Sequence, residues 1–377
     1  MGDKIVKSRL TQYLFSKADK TKTPISGALE ISPLCNMDCK MCYVKMTKQD
    51  MNKVGRERTV EEWLELAKEL KEAGTLFLLI TGGEPFLYKG FKELYINLFN
   101  MGFVISINSN ATLINEETIS WLKKYPPMRV NVTLYGGSNE TYERLCNNKK
   151  GFDQAIRGIE LMQSAGIQVK INSSITQYNV CDIEKIYEFG KNHDLIVQGT
   201  TYMYPPVRRN KSSVGKNNRF TAKEAAINYV KIKKLRMGDE EFKSHTKNFI
   251  NGILEKDDLI DECMVVEGQP MKCRAGVSTF WISWDGRMMS CGMMNEPIAY
   301  PFEYGFKNAW NKIVEETSKI RLPIKCSNCK NKSICNVCAA SCASETGCTS
   351  KVPTYMCEMT EEIINETKRI YNEIEKK

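Results

Sequence analysis

The sequence predicts an α/β fold in which a partial (β/α)6 barrel of the TIM type precedes a small cysteine-rich domain. Apolar, strand-like runs alternate with amphipathic helical patterns through the first two thirds of the chain, as in a parallel sheet covered by helices. The remainder is rich in cysteine, and the chain has 15 Cys beside only 2 His. We therefore predict an amino-terminal extension (1–25), the barrel (26–237), a bridging region with the cysteine-rich domain (238–359) and a final helix (360–377).

Six segments have the short apolar runs of buried strands, and helical patterns separate them. The first helix is predicted to begin after Thr59, because Glu62 lies three residues further on and completes a capping box, and to end before Gly74. The strands are predicted at 27–34, 76–80, 103–108, 129–134, 168–175 and 195–202. The other barrel helices are predicted at 89–101, 116–124, 152–165 and 183–192.

The cysteine-rich domain has fewer predicted elements. Gly286 is typical of the turn of a small β-hairpin, which would pair 280–284 with 287–292. Helices are predicted at 308–319 and 360–376. The segment 204–219 is basic and polar and contains prolines, so we expect a mobile, solvated loop there.

Composition excludes several classes of protein. The sequence opens without the apolar segment of a secretory signal peptide, and its densest apolar run, 76–80, is far too short to span a bilayer. We therefore expect a cytoplasmic protein with reduced thiols and no membrane partner. The 54 Lys and Arg exceed the 45 Asp and Glu, giving a net charge of +9, but the excess is scattered. No nucleic acid partner is therefore predicted.

Three cysteines in the spacing Cys-x3-Cys-x2-Cys follow the first predicted strand: Cys35, Cys39 and Cys42. Thiolates are soft ligands that suit iron–sulfur clusters or zinc. Three thiolates on one loop would leave the fourth iron of a 4Fe–4S cubane open to a cofactor. Zinc is the alternative, but tetrahedral zinc needs a fourth ligand, and the segment 44–58 contains neither Cys nor His.

The run Cys35-Asn-Met-Asp-Cys39-Lys-Met-Cys42 resembles the cluster loop of the radical S-adenosylmethionine (SAM) superfamily. A second run, Thr81-Gly82-Gly83-Glu84-Pro85, resembles the stretch that contacts the amino group of SAM in that family. Glycine lets an ammonium group approach backbone carbonyls, and a carboxylate suits its charge. The resemblance implies a 4Fe–4S cluster on Cys35, Cys39 and Cys42, with SAM bound by Gly82, Gly83 and Glu84.

Five further residues are assigned to SAM by the same resemblance. Ser109 and Asn110 resemble the polar end of the family's third strand, the alternative being an Asx turn. Thr133 falls where family members place a hydroxyl near the ribose. Arg144 is assigned to the SAM carboxylate, the alternative being a solvated charge on a helix. Tyr43 is the aromatic candidate to cover the adenine, because the family's usual aromatic position holds a methionine here.

The later cysteines resemble the SPASM extension, which carries auxiliary 4Fe–4S clusters in radical SAM maturases of peptides and proteins. The pattern here is Cys273-x12-Gly286-x4-Cys291, then Cys326-x2-Cys329-x5-Cys335-x2-Cys338. The resemblance implies one or two auxiliary clusters, the first on Cys263, Cys273, Cys291 and Cys338, and the second on Cys326, Cys329, Cys335 and Cys357.

Alternatives stay open for this block. The spacing after Cys335 departs from the family pattern, so Cys342 and Cys348 are alternative ligands. A structural zinc ribbon is the alternative metal site, because paired Cys-x2-Cys motifs also suit tetrahedral zinc. Cys146 and Cys181 have no partner spacing and are interpreted as ordinary thiols.

The resemblance implies an enzyme that cleaves SAM reductively to a 5′-deoxyadenosyl radical, which takes hydrogen from a peptide or protein. A cross-link, an oxidation or an epimerisation would follow. Expected partners are the substrate, a separate leader-binding protein, and an electron donor such as flavodoxin or ferredoxin. Alternatives are a cofactor-biosynthesis enzyme or an anaerobic sulfatase-maturase-like enzyme, although Gly292 replaces the base proposed for the latter. A non-catalytic iron–sulfur or zinc protein is an alternative of another class. No general base is assigned.

Overall fold

The computed structural model describes residues 9–257 and 267–375. Its strands form a single nine-stranded sheet in the order β6-β5-β4-β3-β2-β1-β7-β8-β9. The strands are β1 Ser26–Glu30, β2 Phe77–Thr81, β3 Val104–Ser109, β4 Arg129–Thr133, β5 Val169–Ser174, β6 Val197–Thr200, β7 Thr279–Ile282, β8 Met288–Met289 and β9 Ile298–Ala299. Strands β1 to β6 are neighbours in chain order and pair in parallel throughout. The six predicted strands and their parallel arrangement are therefore confirmed.

Helices cover the sheet and fill the cysteine-rich part. Those up to residue 257 are α1 Arg9–Thr21, α2 Lys48–Val54, α3 Val60–Glu72, α4 Phe91–Asn100, α5 Glu116–Leu122, α6 Asn139–Cys146, α7 Gly151–Ser164, α8 Ile183–Asn192, α9 Ala222–Met237 and α10 Asp239–Asp257. Those after it are α11 Pro301–Tyr304, α12 Phe306–Ser318, α13 Ile324–Ser327, α14 Ala339–Thr346 and α15 Thr354–Glu375.

The first barrel helix, α3, begins as predicted. The Thr59 hydroxyl accepts from the backbone of Glu62, whose side chain accepts from the backbone of Thr59, so the capping box is complete. Trp63, Leu66 and Leu70 are buried on the face that packs against the sheet. The capping residues and the 3.6-residue apolar period therefore both indicate the helix that the structure contains.

Among the described residues, the helices without a predicted counterpart are α1, α2, α6, α9, α10, α11, α13 and α14. In α2, Met51 is the buried residue, so the segment lacks the apolar stripe that identifies a helix in a sequence. Helix α9 has a complete capping box between Thr221 and Glu224, a signal that was present in the sequence. Its pairing with α15 explains its burial, because α15 lies along it in the tertiary structure.

The predicted hairpin is present, and its first strand also pairs with the barrel sheet. Ile282 pairs with Met288 in antiparallel register, and Gly286 in the turn has a φ of +88°, which favours glycine. Strand β7 also pairs in parallel with β1, with Leu29 opposite Ile282. The cysteine-rich part therefore continues the barrel sheet beyond its first strand, which the sequence did not indicate.

Two large apolar cores lie on the helix-covered side of this sheet. One contains Trp63 and Tyr95, and the other contains Tyr142 and Phe242. Because the apolar side chains of the strands pack in these cores, the opposite side of the parallel strands can carry polar side chains. All 14 cysteines within the described ranges are free thiols. None of the helices in those ranges is long and apolar enough to cross a membrane.

Candidate active site

The three cysteines of the amino-terminal motif lie on the loop that connects β1 to α2. Helix α6 holds this loop, because Asp38 N donates to Cys146 O at 2.8 Å and Lys40 N donates to Leu145 O at 3.1 Å. Backbone N–H groups also reach the sulfurs: Met37 N lies 3.4 Å from Cys35 Sγ, and Lys45 N lies 3.2 Å from Cys42 Sγ. The loop is thus fixed by main-chain hydrogen bonds that leave its thiols available as ligands.

The Gly82-Gly83 turn packs directly against the backbone of this loop. Gly83 N donates to Ser32 O at 2.8 Å, and Glu84 N donates to Leu34 O at 2.9 Å. A Cβ on Gly83 would lie 2.2 Å from Leu34 O, and one on Gly82, whose φ is +152°, would lie 2.4 Å from Ser32 O. Any side chain at either position would push the two segments apart, so glycine is required by the close approach.

Glu84 is buried behind the turn rather than exposed to the cavity. Its carboxylate accepts from Ser109 Oγ at 2.9 Å, Asn110 N at 2.8 Å and Phe86 N at 3.2 Å. Burial raises the pKa of Glu84 to about 7, although these hydrogen bonds oppose the shift. Glu84 therefore joins the turn after β2 to the end of β3 and holds Ser109 and Asn110 by hydrogen bonds.

A cavity of about 470 Å³ opens over the cysteine loop at the carboxyl ends of the strands. We call it the cysteine-loop cavity. Asn110 Nδ2 lies 2.9 Å from Asn36 Oδ1 and 3.8 Å from Cys35 Sγ, so the end of β3 contacts the loop directly. The predicted residues on its wall are Cys35, Cys39, Cys42, Tyr43, Gly82, Gly83, Ser109, Asn110 and Thr133.

Arg144, predicted to bind SAM, does not line this cavity. Its Nε donates to Tyr178 O at 2.7 Å, and its Nη2 lies 3.3 Å from Thr141 Oγ1. Helix α6 presents the side chain to the segment before α8, which is the physical reason for the difference. The guanidinium therefore joins α6 to that segment and is not available at the cavity.

Polar residues that were not predicted from the sequence line the cavity from the barrel interior. Asn131 Nδ2 donates to Asn108 Oδ1 at 2.9 Å, and Lys170 makes a short hydrogen bond to Gln198. The sequence does contain a signal for these residues, because every second residue of β4 and β5 is polar. Successive strand residues point to opposite faces, so this alternation indicates one polar face on the sheet. The residues are Arg129 and Asn131 from β4, Lys170 and Asn172 from β5, and Gln198 and Thr200 from β6, with Asn108 from β3.

The thiols of the loop differ in their surroundings. Burial raises the pKa of Cys35 to about 12 and also raises the pKa of Cys42. A hydrogen bond with the thiol of Cys146 lowers the pKa of Cys39. Cys146, interpreted from the sequence as an ordinary thiol, is buried beside the loop, and burial raises its own pKa. A thiolate on Cys39 thus has a hydrogen-bond donor within the protein.

The carboxy-terminal cysteines lie in two groups. Burial raises the pKa of Cys291, and the nearby thiols of Cys338 and Cys273 raise it further. Tyr204 Oη lies 3.6 Å from Cys338 Sγ, beside this first group. The turn at Gly286 and the pairing of β7 with β8 bring Cys291 back toward Cys273. Cys263, the fourth ligand predicted for this group, lies outside the described residues.

The second group contains Cys326, Cys329, Cys335 and Cys357. Burial raises the pKa of Cys326 to about 11, and the thiols of the other three add to the shift. Burial also raises the pKa of Cys342 to about 12, with contributions from Cys326, Cys338 and Cys335, so this thiol lies between the groups. Cys348 faces Ser350 Oγ at 3.1 Å.

The donor set fits iron–sulfur clusters. Thiols within one group influence each other electrostatically, and backbone N–H groups point at the sulfurs, as is usual around such clusters. Among the residues that the structure describes, no three His, Cys, Asp or Glu side chains converge as they would around a single metal ion.

Comparison with known proteins agrees with this geometry. The family model "Radical SAM superfamily" matches residues 29–190. An AdoMet-dependent heme synthase of Methanosarcina barkeri is 22% identical over 348 residues, 87% of this chain and 94% of that protein. The sporulation killing factor maturation protein SkfB of Bacillus subtilis is 27% identical over 165 residues, 44% of this chain and 39% of that protein.

Solved structures show the same fold over almost the whole chain. Streptococcus suis SuiB bound to its precursor peptide SuiA superposes with a TM-score of 0.64 and 17% sequence identity, covering 93% of this chain and 80% of that one. The match extends well beyond residues 29–190 into the cysteine-rich part. Residues 29–190 are therefore a radical SAM domain, of a superfamily whose members are enzymes that use SAM and a 4Fe–4S cluster, and the fold shared with SuiB extends over the cysteine-rich part.

Proposed function

We propose that this radical SAM enzyme abstracts a hydrogen atom from a peptide or protein substrate, leading to a cross-link, an oxidation or an epimerisation. The observation that carries the proposal is the meeting of the Cys35–Cys42 loop with the Gly82-Gly83 turn at the open end of the barrel, in a chain that has two further groups of cysteines. The similarity to SkfB, a maturation protein, and to SuiB bound to a precursor peptide supports a peptide substrate.

When bound, the cluster and SAM supply an electron and a 5′-deoxyadenosyl radical, which removes hydrogen from an unactivated carbon. The residues of this chain bind and orient these groups. We assign the cluster to Cys35, Cys39 and Cys42. The polar wall of the cysteine-loop cavity, including Ser109, Asn110 and Thr133, would fix SAM, and the Gly82-Gly83 turn would accept its amino group.

We assign the auxiliary ligands from the two carboxy-terminal groups. Cys273, Cys291 and Cys338, with Cys263, would hold the first cluster, and Cys326, Cys329, Cys335 and Cys357 the second. Cys342 is the alternative to Cys338 because it lies near members of both groups. An external electron donor of the flavodoxin or ferredoxin kind and a separate leader-binding protein remain part of this proposal.

The first test is reconstitution under anaerobic conditions. Three four-iron clusters predict a brown protein with about 12 Fe per chain. Dithionite and SAM should then give 5′-deoxyadenosine, and a Cys35→Ala/Cys39→Ala/Cys42→Ala variant should give none. Persistence of the product in the triple variant would refute the assigned cluster site, and Cys181→Ala serves as the matched cysteine control.

A second candidate, cofactor synthesis on a tetrapyrrole, is favoured by one observation. The similarity to the M. barkeri heme synthase extends over 94% of that protein, whereas the similarity to SkfB covers 39% of SkfB. Mass spectrometry detects the hydrogen loss of a cross-linked or oxidised peptide, and chiral amino-acid analysis detects an epimerisation, which leaves the mass unchanged. Loss of carbon dioxide from a porphyrin side chain would favour the second candidate.

A further inference from the structure

A second cavity of about 570 Å³ adjoins the cysteine-loop cavity on the side of the hairpin. We call it the arginine cavity. Tyr43 and Val44, directly after the last cysteine of the loop, line both cavities. Glu30, at the back of the arginine cavity, is the last residue of β1 and pairs in register with Thr81, just before the Gly82-Gly83 turn. The two cavities therefore meet at the same edge of the sheet, separated by the cysteine loop.

Cations dominate the wall of the arginine cavity. It contains two acidic side chains, Glu30 and Asp285, against five arginines: Arg56, Arg58, Arg208, Arg209 and Arg287. The arginines come from distant parts of the sequence, which the fold brings together around one space. This convergence differs from the scattered positive charge that the composition indicated.

Arg208 is the most deeply placed of these cations. Its side chain is 7% exposed, and its Nη2 lies 2.6 Å from Oε2 of Glu30, which is 2% exposed. Trp281 Nε1 donates to the same oxygen at 3.1 Å, so the Glu30 carboxylate is shared between two donors. Arg208 Nε is buried and has no hydrogen-bond partner among the described residues. A buried guanidinium donor without a partner calls for an acceptor from outside the protein.

Arg58, which also lines the cavity, likewise has a buried Nε without a hydrogen-bond partner among the described residues. Its Nη1 contacts Glu62 at 3.2 Å and its Nη2 contacts Asp285 O at 3.1 Å. Arg209 donates to a neutral acceptor, the Lys45 carbonyl, at 3.2 Å. The other arginines pair with carboxylates, Arg56 and Arg58 with Glu62, Arg208 with Glu30 and Arg287 with Asp285. The unused capacity of the wall is therefore the charge of Arg209 and the two Nε donors that have no partner in the described part of the chain.

We infer that the arginine cavity is a subsite for carboxylate groups of the substrate. This inference rests on the proposed function, since it concerns the substrate of the same site. Guanidinium groups bind carboxylates with planar, charge-assisted hydrogen bonds, and the orphan Nε atoms of Arg208 and Arg58 supply such donors. The acidic pair in the wall, Glu30 and Asp285, opposes a dianionic phosphate more strongly than a singly charged carboxylate.

The source of the carboxylate is an acidic side chain of a peptide or a propionate of a tetrapyrrole. Aromatic side chains in the wall, Tyr43, Trp284 and Tyr300, suit the apolar part of either molecule. A substrate anchored by its carboxylate would extend past Tyr43 toward the cysteine-loop cavity. The subsite would therefore select acidic substrates and set which of their carbons reaches the radical.

The test is direct binding to the cluster-loaded protein, without turnover. The probes are a fluorescent oligoglutamate peptide with its glutamine counterpart, and iron coproporphyrin with its tetramethyl ester. We expect at least one carboxylate probe to bind about ten-fold or more tightly than its neutral counterpart. Preference for the peptide alone or the porphyrin alone identifies the source, and preference for both supports the same carboxylate subsite.

Two substitutions test the residues. Arg208→Lys keeps the charge beside Glu30 but removes the planar fork, and Arg58→Gln removes a cation nearer the rim. Each should weaken the preferred probe by about ten-fold, whereas Arg157→Gln, an exposed arginine on α7 paired with Glu116, should not change it. Iron content verifies that each variant has assembled.

Two results would overturn the inference: equal binding of charged and neutral probes, or unchanged affinity in both arginine variants. Because the assay requires no chemistry, its outcome is separate from that of the proposed function. A protein that prefers carboxylates but yields no 5′-deoxyadenosine would refute the proposed function and leave the subsite standing. A protein that yields 5′-deoxyadenosine but shows no preference for carboxylates would refute the subsite and leave the proposed function standing.

Discussion

Arg219 and Glu345 form a bidentate ion pair that joins the end of the barrel to helix α14 of the cysteine-rich part. Arg219 Nη2 lies 2.9 Å from Glu345 Oε2, and the two side chains are 6% and 5% exposed. Tyr202 Oη donates to the same carboxylate at 2.6 Å, and the ring of Tyr355 lies 3.9 Å from the guanidinium carbon. The charged pair is thus almost completely enclosed by groups from the segment after β6 and from α14 and α15.

Breaking this pair should destabilise the protein strongly. Arg219→Met leaves the Glu345 carboxylate buried without its cation, so we expect a loss of about 3–5 kcal/mol in the free energy of unfolding, measured by urea titration. Arg219→Met/Glu345→Met should recover part of that loss, since no charge then stays buried. Lys53→Met removes one side of an exposed pair with Asp50 and should have a much smaller effect, because solvent screens this pair. Equal effects of the Arg219 and Lys53 substitutions would contradict the argument.

Glu84 should make stability depend on pH near neutrality. Burial raises its pKa to about 7 from an ordinary value of 4.5, so the neutral form is favoured in the folded state. Its contribution is complete below about pH 4.5 and is lost as the pH rises through 7. We therefore expect the stability of the wild type relative to Glu84→Gln to fall by about 2 kcal/mol between pH 5 and pH 8. A stability difference that stays constant with pH would show that Glu84 does not titrate there.

Gly83→Ala should separate the β2 turn from the cysteine loop. The added Cβ would lie 2.2 Å from Leu34 O, and both partners are backbone, so neither side can move cheaply. We expect the loop cysteines to lose their geometry, with about 4 Fe fewer per chain and no detectable SAM binding by equilibrium dialysis. Gly166→Ala is the control, because its φ is +74° but no atom lies within 4 Å, and it should cost about 1 kcal/mol of stability while retaining iron.

Substitution of single cysteines should separate ligands from bystanders. Cys357→Ala is expected to lower iron by about 4 per chain, from about 12 to about 8, because its thiol belongs to the second group. Cys348→Ala should retain all the iron, since its thiol faces Ser350. Comparison of Cys338→Ala with Cys342→Ala decides which thiol completes the first group. Iron loss in the Cys348 variant equal to that in the Cys357 variant would contradict the grouping.

The fold was largely predictable from the sequence because its signals are local. Capping at Thr59, the apolar run of β2 and the Gly286 turn each act within a few residues, and all three elements are present. Helix α2 was not predicted, because burial of Met51 depends on contacts that only the tertiary structure supplies. The parallel pairing of β7 with β1 joins segments some 250 residues apart and has no local signal.

The candidate site was predictable in part for the same reason. Cys35, Cys39 and Cys42 share one short loop, so their spacing in the sequence is close to their spacing in the structure. Arg144 was assigned by position alone, and the orientation of α6 turns it toward Tyr178. The segment 204–219 was expected to be a solvated loop, yet it buries Arg208 against Glu30. Such pairs form between distant segments and cannot be predicted from composition.

The pairing of β7 with β1 fixes the position of the hairpin relative to the barrel. Main-chain hydrogen bonds run without interruption from the barrel into the hairpin, so these two parts cannot swing apart as separate bodies without breaking a sheet. A substrate bound in the arginine cavity, as proposed above, would therefore lie on a rigid frame that keeps its distance from the cofactor constant.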